Sequence, residues 1–163
     1  MGLFNRNKKQ LETQPYSIGA PVKGEVIDIK ETKDMVFNTE SLGKGVGIIP
    51  KSNQIIAPIG GVITTFFPTK HAVGITTDEG IEVLIHIGID TVELNGKFFT
   101  DKKKQGDRIN RGEELLNVEF EEIMKSGYET TVLMVIVNTA NYKEVKTILG
   151  NKEQGEIVIE IEA

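Results

Sequence analysis

The chain contains no cysteine. That excludes disulfides, thiol nucleophiles, iron–sulfur clusters and cysteine-based zinc sites within it, and fits a reducing compartment, so a cytoplasmic location is expected. Histidine is almost as scarce, with His71 and His86 the only two. No apolar run approaches the ~20 residues of a membrane-crossing helix. The opening MGLFNRNKKQLETQ has no apolar stretch long enough for a secretory signal. A basic surplus is also missing. The net charge is −5, and the short runs Lys8-Lys9 and Lys102-Lys103-Lys104 read as solvated surface, so nucleic acid is not an expected partner. An acidic balance suits encounter with a basic protein surface. There is no heptad repeat and no low-complexity tract.

What is present is a chain of 163 residues, enough for one domain with a core that needs no staples. Residues 1–16 read as a flexible tail and 17–163 as the domain. Leu3 and Phe4, followed by Arg6, Lys8 and Lys9, give the tail a second reading as a weak amphipathic contact with an anionic membrane surface. Strand-like runs follow at 22–29, 45–50, 54–58, 61–67, 71–77, 80–88, 130–137 and 155–161, with Gly, Pro and Asn between them. This spacing predicts an all-β fold, an antiparallel sandwich or barrel with one or two short helical turns. In the last run Ile157, Ile159 and Ile161 alternate with Glu156, Glu160 and Glu162, and Val158 alone departs. Phe120, Ile123 and Met124 predict a helix over 119–125, stopped by Gly127. A second helical turn is expected at 142–149.

The most informative stretch is FFPTKHAVGITTDEGIEVLIHIGIDTV, from Phe66 to Val92. Asp78-Glu79-Gly80 marks a turn between two apolar runs. With Asp78 and Glu79 as a two-residue loop, Thr77 faces Gly80, Val73 faces Leu84 and His71 faces His86. The histidines are then a cross-strand pair with Cβ atoms roughly 5 Å apart. Ile81, Val83, Ile85 and Ile87 share the core face with Thr76, Gly74 and Ala72. Leu84, Glu82 and His86 share the other with Ile75, Val73, His71 and Thr69. Everything here depends on register, because a slip of one residue exchanges the faces.

A neutral imidazole is a nucleophile near pH 7 and can hold a phosphoryl group. A second imidazole that donates a hydrogen bond to the phosphoryl oxygens lowers the cost of their charge. Thr69 is placed to fix the tautomer of His71. Gly88 would admit another backbone, and local carbonyls would orient the other nitrogen of His86. Zinc is the rival use of two histidines. It needs more donors, from Glu82, Asp90 or a partner's carboxylate. A metallopeptidase would need a further His-x-His pair, and a lipoyl or biotinyl carrier a lysine at a hairpin tip; neither is present.

The same residues carry a family resemblance. His86-Ile87-Gly88-Ile89-Asp90-Thr91-Val92-Glu93-Leu94 resembles the phosphohistidine motif of the glucose-family enzyme IIA component of the phosphoenolpyruvate-dependent sugar phosphotransferase system. Thr69-Lys70-His71-Ala72 resembles the segment bearing its second histidine. Asp34-Met35-Val36-Phe37 with Gly43 and Gly45, Ile56-Ala57-Pro58 with Gly61, and Gly106-Asp107 with Gly112 resemble further family segments. The resemblance covers nearly all of the chain after the tail.

It implies an antiparallel β-sandwich with a shallow active surface and no required cofactor. It implies that His86 accepts phosphate on Nε2 from a histidine-containing phosphocarrier protein and passes it to a cysteine on the IIB domain of a sugar permease. His71 would stabilise the phosphorylated state, oriented by Thr69. Val36, Phe37, Leu42, Phe67, Leu84, Gly88 and Val92 match positions where partners dock, and Asp34 and Asp90 match acidic positions that meet basic partner groups. Ser41 stands where the family usually has a larger apolar residue, and Leu84 and Val73 where some members have phenylalanine, which implies a smaller apolar ring. The same surface also fits a regulatory module that docks other proteins and is switched by the charge on His86.

Overall fold

The computed structural model describes residues 16–163. The expected membrane contact of Leu3, Phe4 and the basic residues after them lies outside the described residues. Tyr16 already packs on the core, and its carbonyl accepts the Ile161 N–H at 2.9 Å.

The strands are β1 (Ser17–Gly19), β2 (Gly24–Asp28), β3 (Lys44–Pro50), β4 (Gln54–Ile56), β5 (Gly61–Phe66), β6 (Ala72–Thr76), β7 (Glu82–Ile87), β8 (Phe99–Asp101), β9 (Arg108–Ile109), β10 (Glu114–Val118), β11 (Val132–Ile136), β12 (Glu144–Thr147), β13 (Gly150–Lys152) and β14 (Ile157–Glu162). One α-helix, α1 (Phe120–Lys125), and several 3-10 turns complete the described residues. A sheet of eight strands runs in the order β13-β2-β3-β11-β7-β6-β5-β9, beside two three-stranded sheets, β1-β14-β12 and β4-β10-β8. All pairings are antiparallel. One core joins the sheets, with Val46, Val73, Ile75, Val83, Ile85 and Met134 from the large sheet meeting Ile18, Ile55, Leu116 and Ile159 from the small ones. This is the expected all-β antiparallel architecture.

Two local readings change. Residues 142–149 are not helical. Val145 turns inward and pairs with Ile161, so β14 captures the segment as edge strand β12; a 3-10 turn lies just before it, at Thr139–Asn141. Val158 departs from alternation because the pairing steps from Ile18↔Ile159 to Gly19↔Ile157, which leaves Val158 as the extra residue of a bulge. It is fully buried. In α1, Phe120 and Ile123 are buried while Met124 faces solvent, and Gly127 follows in the left-handed region at φ 94°.

The β6–β7 register also differs from expectation. The loop has three residues, not two. Thr77 N–H donates to Ile81 O at 3.0 Å, and Gly80 N–H donates to Thr77 O at 3.0 Å. Gly80 takes φ 91°, the left-handed third position typical of such loops. Every pair therefore moves by one: Ala72↔His86, Gly74↔Leu84 and Thr76↔Glu82. Val73 and Ile75 point into the core, and Ala72, Gly74 and Thr76 share the outer face with His86. Val73 thus has no place in an apolar ring at the surface.

Candidate functional site

Alternation along β7 sends Val83, Ile85 and Ile87 inward and leaves Leu84 and His86 outside. His86 is flanked by Ala72 on β6 and Leu133 on β11. The small side chain of Ala72 leaves room beside it. His71 comes from the turn before β6, in which Lys70 N–H donates to Phe67 O at 2.8 Å. The two imidazoles meet nearly perpendicular, with centroids 5.0 Å apart and planes at 83°. The expected encounter is therefore present, although by a different route from the one pairing predicted.

Each ring has one nitrogen engaged. His86 Nδ1 lies 2.8 Å from the Gly88 carbonyl oxygen. A carbonyl can only accept, so Nδ1 carries the proton and Nε2 is left with its lone pair. His71 Nδ1 lies 2.7 Å from Thr69 Oγ1. If the hydroxyl donates there, His71 Nε2 keeps an N–H for an incoming anion. Burial lowers the pKa of both rings. His71 falls to about 4, through desolvation and then the neighbouring His86. His86 is lowered by desolvation, opposed by its bond to Gly88 and by the charges of Asp34 and Asp90. Both rings are thus neutral near pH 7.

Two phenyl rings wall the pair, Phe37 at 5.1 Å from His86 and Phe67 at 5.3 Å from His71. Phe37 is only 5% exposed. It belongs to a small second cluster with Ile29, Leu133 and Val135, against which Leu84 and Ile89 pack. Asp34 holds this wall in place, because its Oδ1 accepts the N–H groups of Val36 (2.9 Å) and Phe37 (3.1 Å). Gly88 is at φ 80°, and a Cβ there would stand 2.5 Å from Thr91 Cγ2 and 3.0 Å from Glu129 O. The backbone that approaches Gly88 is therefore the chain's own.

Of the expected docking residues, Val36, Leu42, Phe67 and Val92 are substantially exposed, whereas Phe37 is buried and Leu84 half-buried. Met35, 82% exposed, was not singled out from sequence; its signal was its place inside the Asp34-to-Phe37 segment. Val137 was also missed. It is exposed, and its N–H donates to Glu82 O at 2.8 Å, which continues the outer face beyond Val135. Ser41 is not a gap in the ring. Its hydroxyl donates to Val36 O at 3.0 Å and ties down that loop.

Among the described residues no third His, Asp or Glu joins the two imidazoles in a metal-holding group. Glu82 sits at the far end of β7, opposite Thr76, and Asp90 lies beyond the Gly88 turn with a left-handed backbone of its own. These residues do not make a closed zinc site, so any zinc would need donors from another molecule.

Fold and site together define an antiparallel β-sandwich that brings two histidines together on its outer face, His86 half-buried and His71 buried. The family model for the phosphoenolpyruvate-dependent sugar phosphotransferase system, EIIA 1, matches residues 16–142. The chain belongs to that family. The beta-glucoside-specific EIIBCA component of Bacillus subtilis (strain 168) is 44% identical over 125 residues, 77% of this chain and 20% of that protein. The glucose-specific EIICBA component of Staphylococcus carnosus (strain TM300) is 40% identical over 141 residues, 86% of this chain and 21% of that protein. The chain thus spans about a fifth of the length of these curated relatives. The solved glucose permease IIA from Mycoplasma capricolum superposes with a TM-score of 0.83 at 37% identity, covering 88% of this chain and 93% of that one. Among the described residues no helix is long and apolar enough to cross a membrane.

Proposed function

We propose that the chain carries a phosphoryl group on Nε2 of His86, between a histidine-containing phosphocarrier protein and a cysteine of a IIB domain, on the cytoplasmic side of a sugar permease. The observation that carries this reading is the Gly88 carbonyl on His86 Nδ1, which reserves the lone pair of Nε2 for phosphorus. As the new N–P bond forms, the donor's N–P bond breaks. In the onward step a thiolate sulfur bonds to phosphorus and the His86 N–P bond breaks, while the proton stays on Nδ1, hydrogen-bonded to Gly88 O, throughout. His71 Nε2–H, with Thr69 donating to Nδ1, stabilises the equatorial oxygens of the transferring group. The relatives are named for glucose and beta-glucosides, so those sugars are the first to test.

The test is reconstituted transfer from phosphoenolpyruvate through the general phosphotransfer proteins. The full chain takes one acid-labile phosphate, and His86→Ala takes none. His71→Ala still accepts it but passes it on roughly 10²-fold more slowly, the usual loss of one positioned donor. Full labelling of His86→Ala overturns the reading.

The exposed apolar residues around the pair support a second reading, a docking face switched by phosphorylation, which brings about −2 charge into that rim. A pull-down unchanged by phosphorylation argues against it. Zinc shared by both Nε2 atoms and a partner's carboxylate is tested in the same assay, since it would block labelling in the presence of that partner.

A further inference from the structure

His71 reaches His86 against the direction of strand register. Ala72 pairs with His86, so one step along the ladder His71 falls opposite Ile87, whose N–H donates to the His71 carbonyl at 2.7 Å. Ile87 is fully buried in the core. A regular strand would send the His71 side chain the same way, off the face that bears His86. The rings nevertheless lie 5.0 Å apart.

The departure starts one residue earlier. Lys70 has φ 63°, the left-handed region that a non-glycine residue enters only when its surroundings hold it there. The turn is closed on both sides, by Lys70 N–H to Phe67 O (2.8 Å) and by Phe67 N–H to Ala72 O (3.1 Å). Lys70 Nζ then forms an ion pair with Asp101 Oδ1 at 3.0 Å. Asp101 is on β8, in a different sheet from β6 and β7. The turn also rests on the loop at Gly96, where an added Cβ would stand 3.9 Å from Lys70 Cδ and from the Thr69 carbonyl oxygen.

We propose that Lys70 is a positioning residue: its left-handed backbone, pinned by Asp101, turns the His71 imidazole across strand register onto His86. Its consequence for transfer rests on the phosphocarrier reading, whereas the placement of the ring does not.

Three variants of the full chain separate backbone from charge. Lys70→Gly keeps the left-handed turn without the pin. Lys70→Val resists that turn, because its branched Cβ crowds the carbonyl. Asp101→Asn removes the pin's charge. Each is read by the through-space NMR contact between the ring protons of His71 and His86, by labelling of His86, and by the rate of onward transfer. Lys70→Val should lose the ring contact, still accept phosphate and pass it on at least roughly tenfold more slowly, the penalty of a displaced donor. Lys70→Gly should keep the contact and transfer within about twofold of the parent, because glycine adopts this backbone freely. Asp101→Asn should fall between them.

The proposal is overturned if Lys70→Val keeps both contact and rate, or if Lys70→Gly is as slow as Lys70→Val. If Lys70→Val shows no cooperative thermal transition, Lys70→Ala takes its place with a smaller expected loss, and an unchanged ring contact and rate there overturn the proposal equally. Failure of the unsubstituted chain to accept phosphate would sink the carrier reading, and the ring contact would still decide the role of Lys70.

Discussion

At His86 a single carbonyl decides which nitrogen keeps its lone pair. Gly88 O holds the Nδ1 proton, and burial keeps the ring neutral against the pull of Asp34 and Asp90. His71 is more deeply buried, at 4% exposure, and its pKa drops from 6.5 to about 4. A histidine with a lowered folded pKa is protonated first in the unfolded chain, so unfolding takes up a proton as pH falls. Its contribution to stability is complete above the unfolded value near 6.5 and is lost as pH falls from there toward 4. For His71 that contribution is at most about 3–4 kcal/mol, from 1.36 kcal/mol per unit. Denaturant unfolding between pH 7 and 5 should therefore show stability decreasing with acid, and His71→Gln should flatten the slope. An equal slope in both proteins would show that His71 does not titrate as its burial requires. Burial also lowers the pKa of His86 below the ordinary imidazole value, and because protonation removes its Nε2 lone pair, phosphate acceptance should decline as pH falls.

At the level of elements, the His86 strand was legible and its partner only partly so. The alternation of β7 and the His86-to-Leu94 segment placed His86 outside and the isoleucines inside, as found. Register was not legible, because it turned on whether Gly80 counts as strand or as the third loop residue, a choice made by its positive φ and by Thr77 closing on Ile81. The packing argument misled for a related reason: β6 puts its larger residues, Val73 and Ile75, inward and leaves Gly74 outside beside Thr65. Strands of two or three residues, such as β1, β8, β9 and β13, are too short for a period of two to appear. β12 formed from a helical-looking segment because β14 offered it a partner. The site itself ends in the Gly88 turn, and there the structure makes a sharp demand. Gly88→Ala forces a side chain into φ 80° with Thr91 Cγ2 2.5 Å away. It should destabilise the protein by about 1–3 kcal/mol and reduce labelling more than that loss of folded protein explains, because Gly88 O also fixes the His86 tautomer. Chemical denaturation and labelling on the same samples check both parts.

The whole molecule keeps its main core on one side of the large sheet and a smaller cluster on the other. Segment 29–39 covers part of that outer face, burying Phe37 with Leu133 and Val135. Met35 and Val36 on this cover, together with Leu42, Phe67 and Val92, remain open to solvent. In the carrier role proposed above, exposed apolar residues beside a recessed histidine would let a partner exclude water at the moment of transfer while the bulk of the binding energy comes from a few central contacts. The net charge of −5, with Asp34 and Asp90 acting on His86, favours approach by a basic partner. Two consequences follow at this scale. The second-order rate of transfer from the phosphocarrier protein should fall as salt rises from 0.05 to 0.5 M, since the Debye length shrinks from about 14 to about 4 Å over that range. Val92→Asp should leave thermal stability within about 0.5 kcal/mol, as exposed substitutions do, yet raise the partner concentration needed for half-maximal transfer by roughly tenfold, the cost of about 1.4 kcal/mol at a docking hot spot. The same change at Met124, exposed on α1, serves as the control. Equal transfer by Val92→Asp and the parent would move the docking surface elsewhere, while equal loss in both variants would mean that added acid, rather than its position on the rim, weakens the encounter.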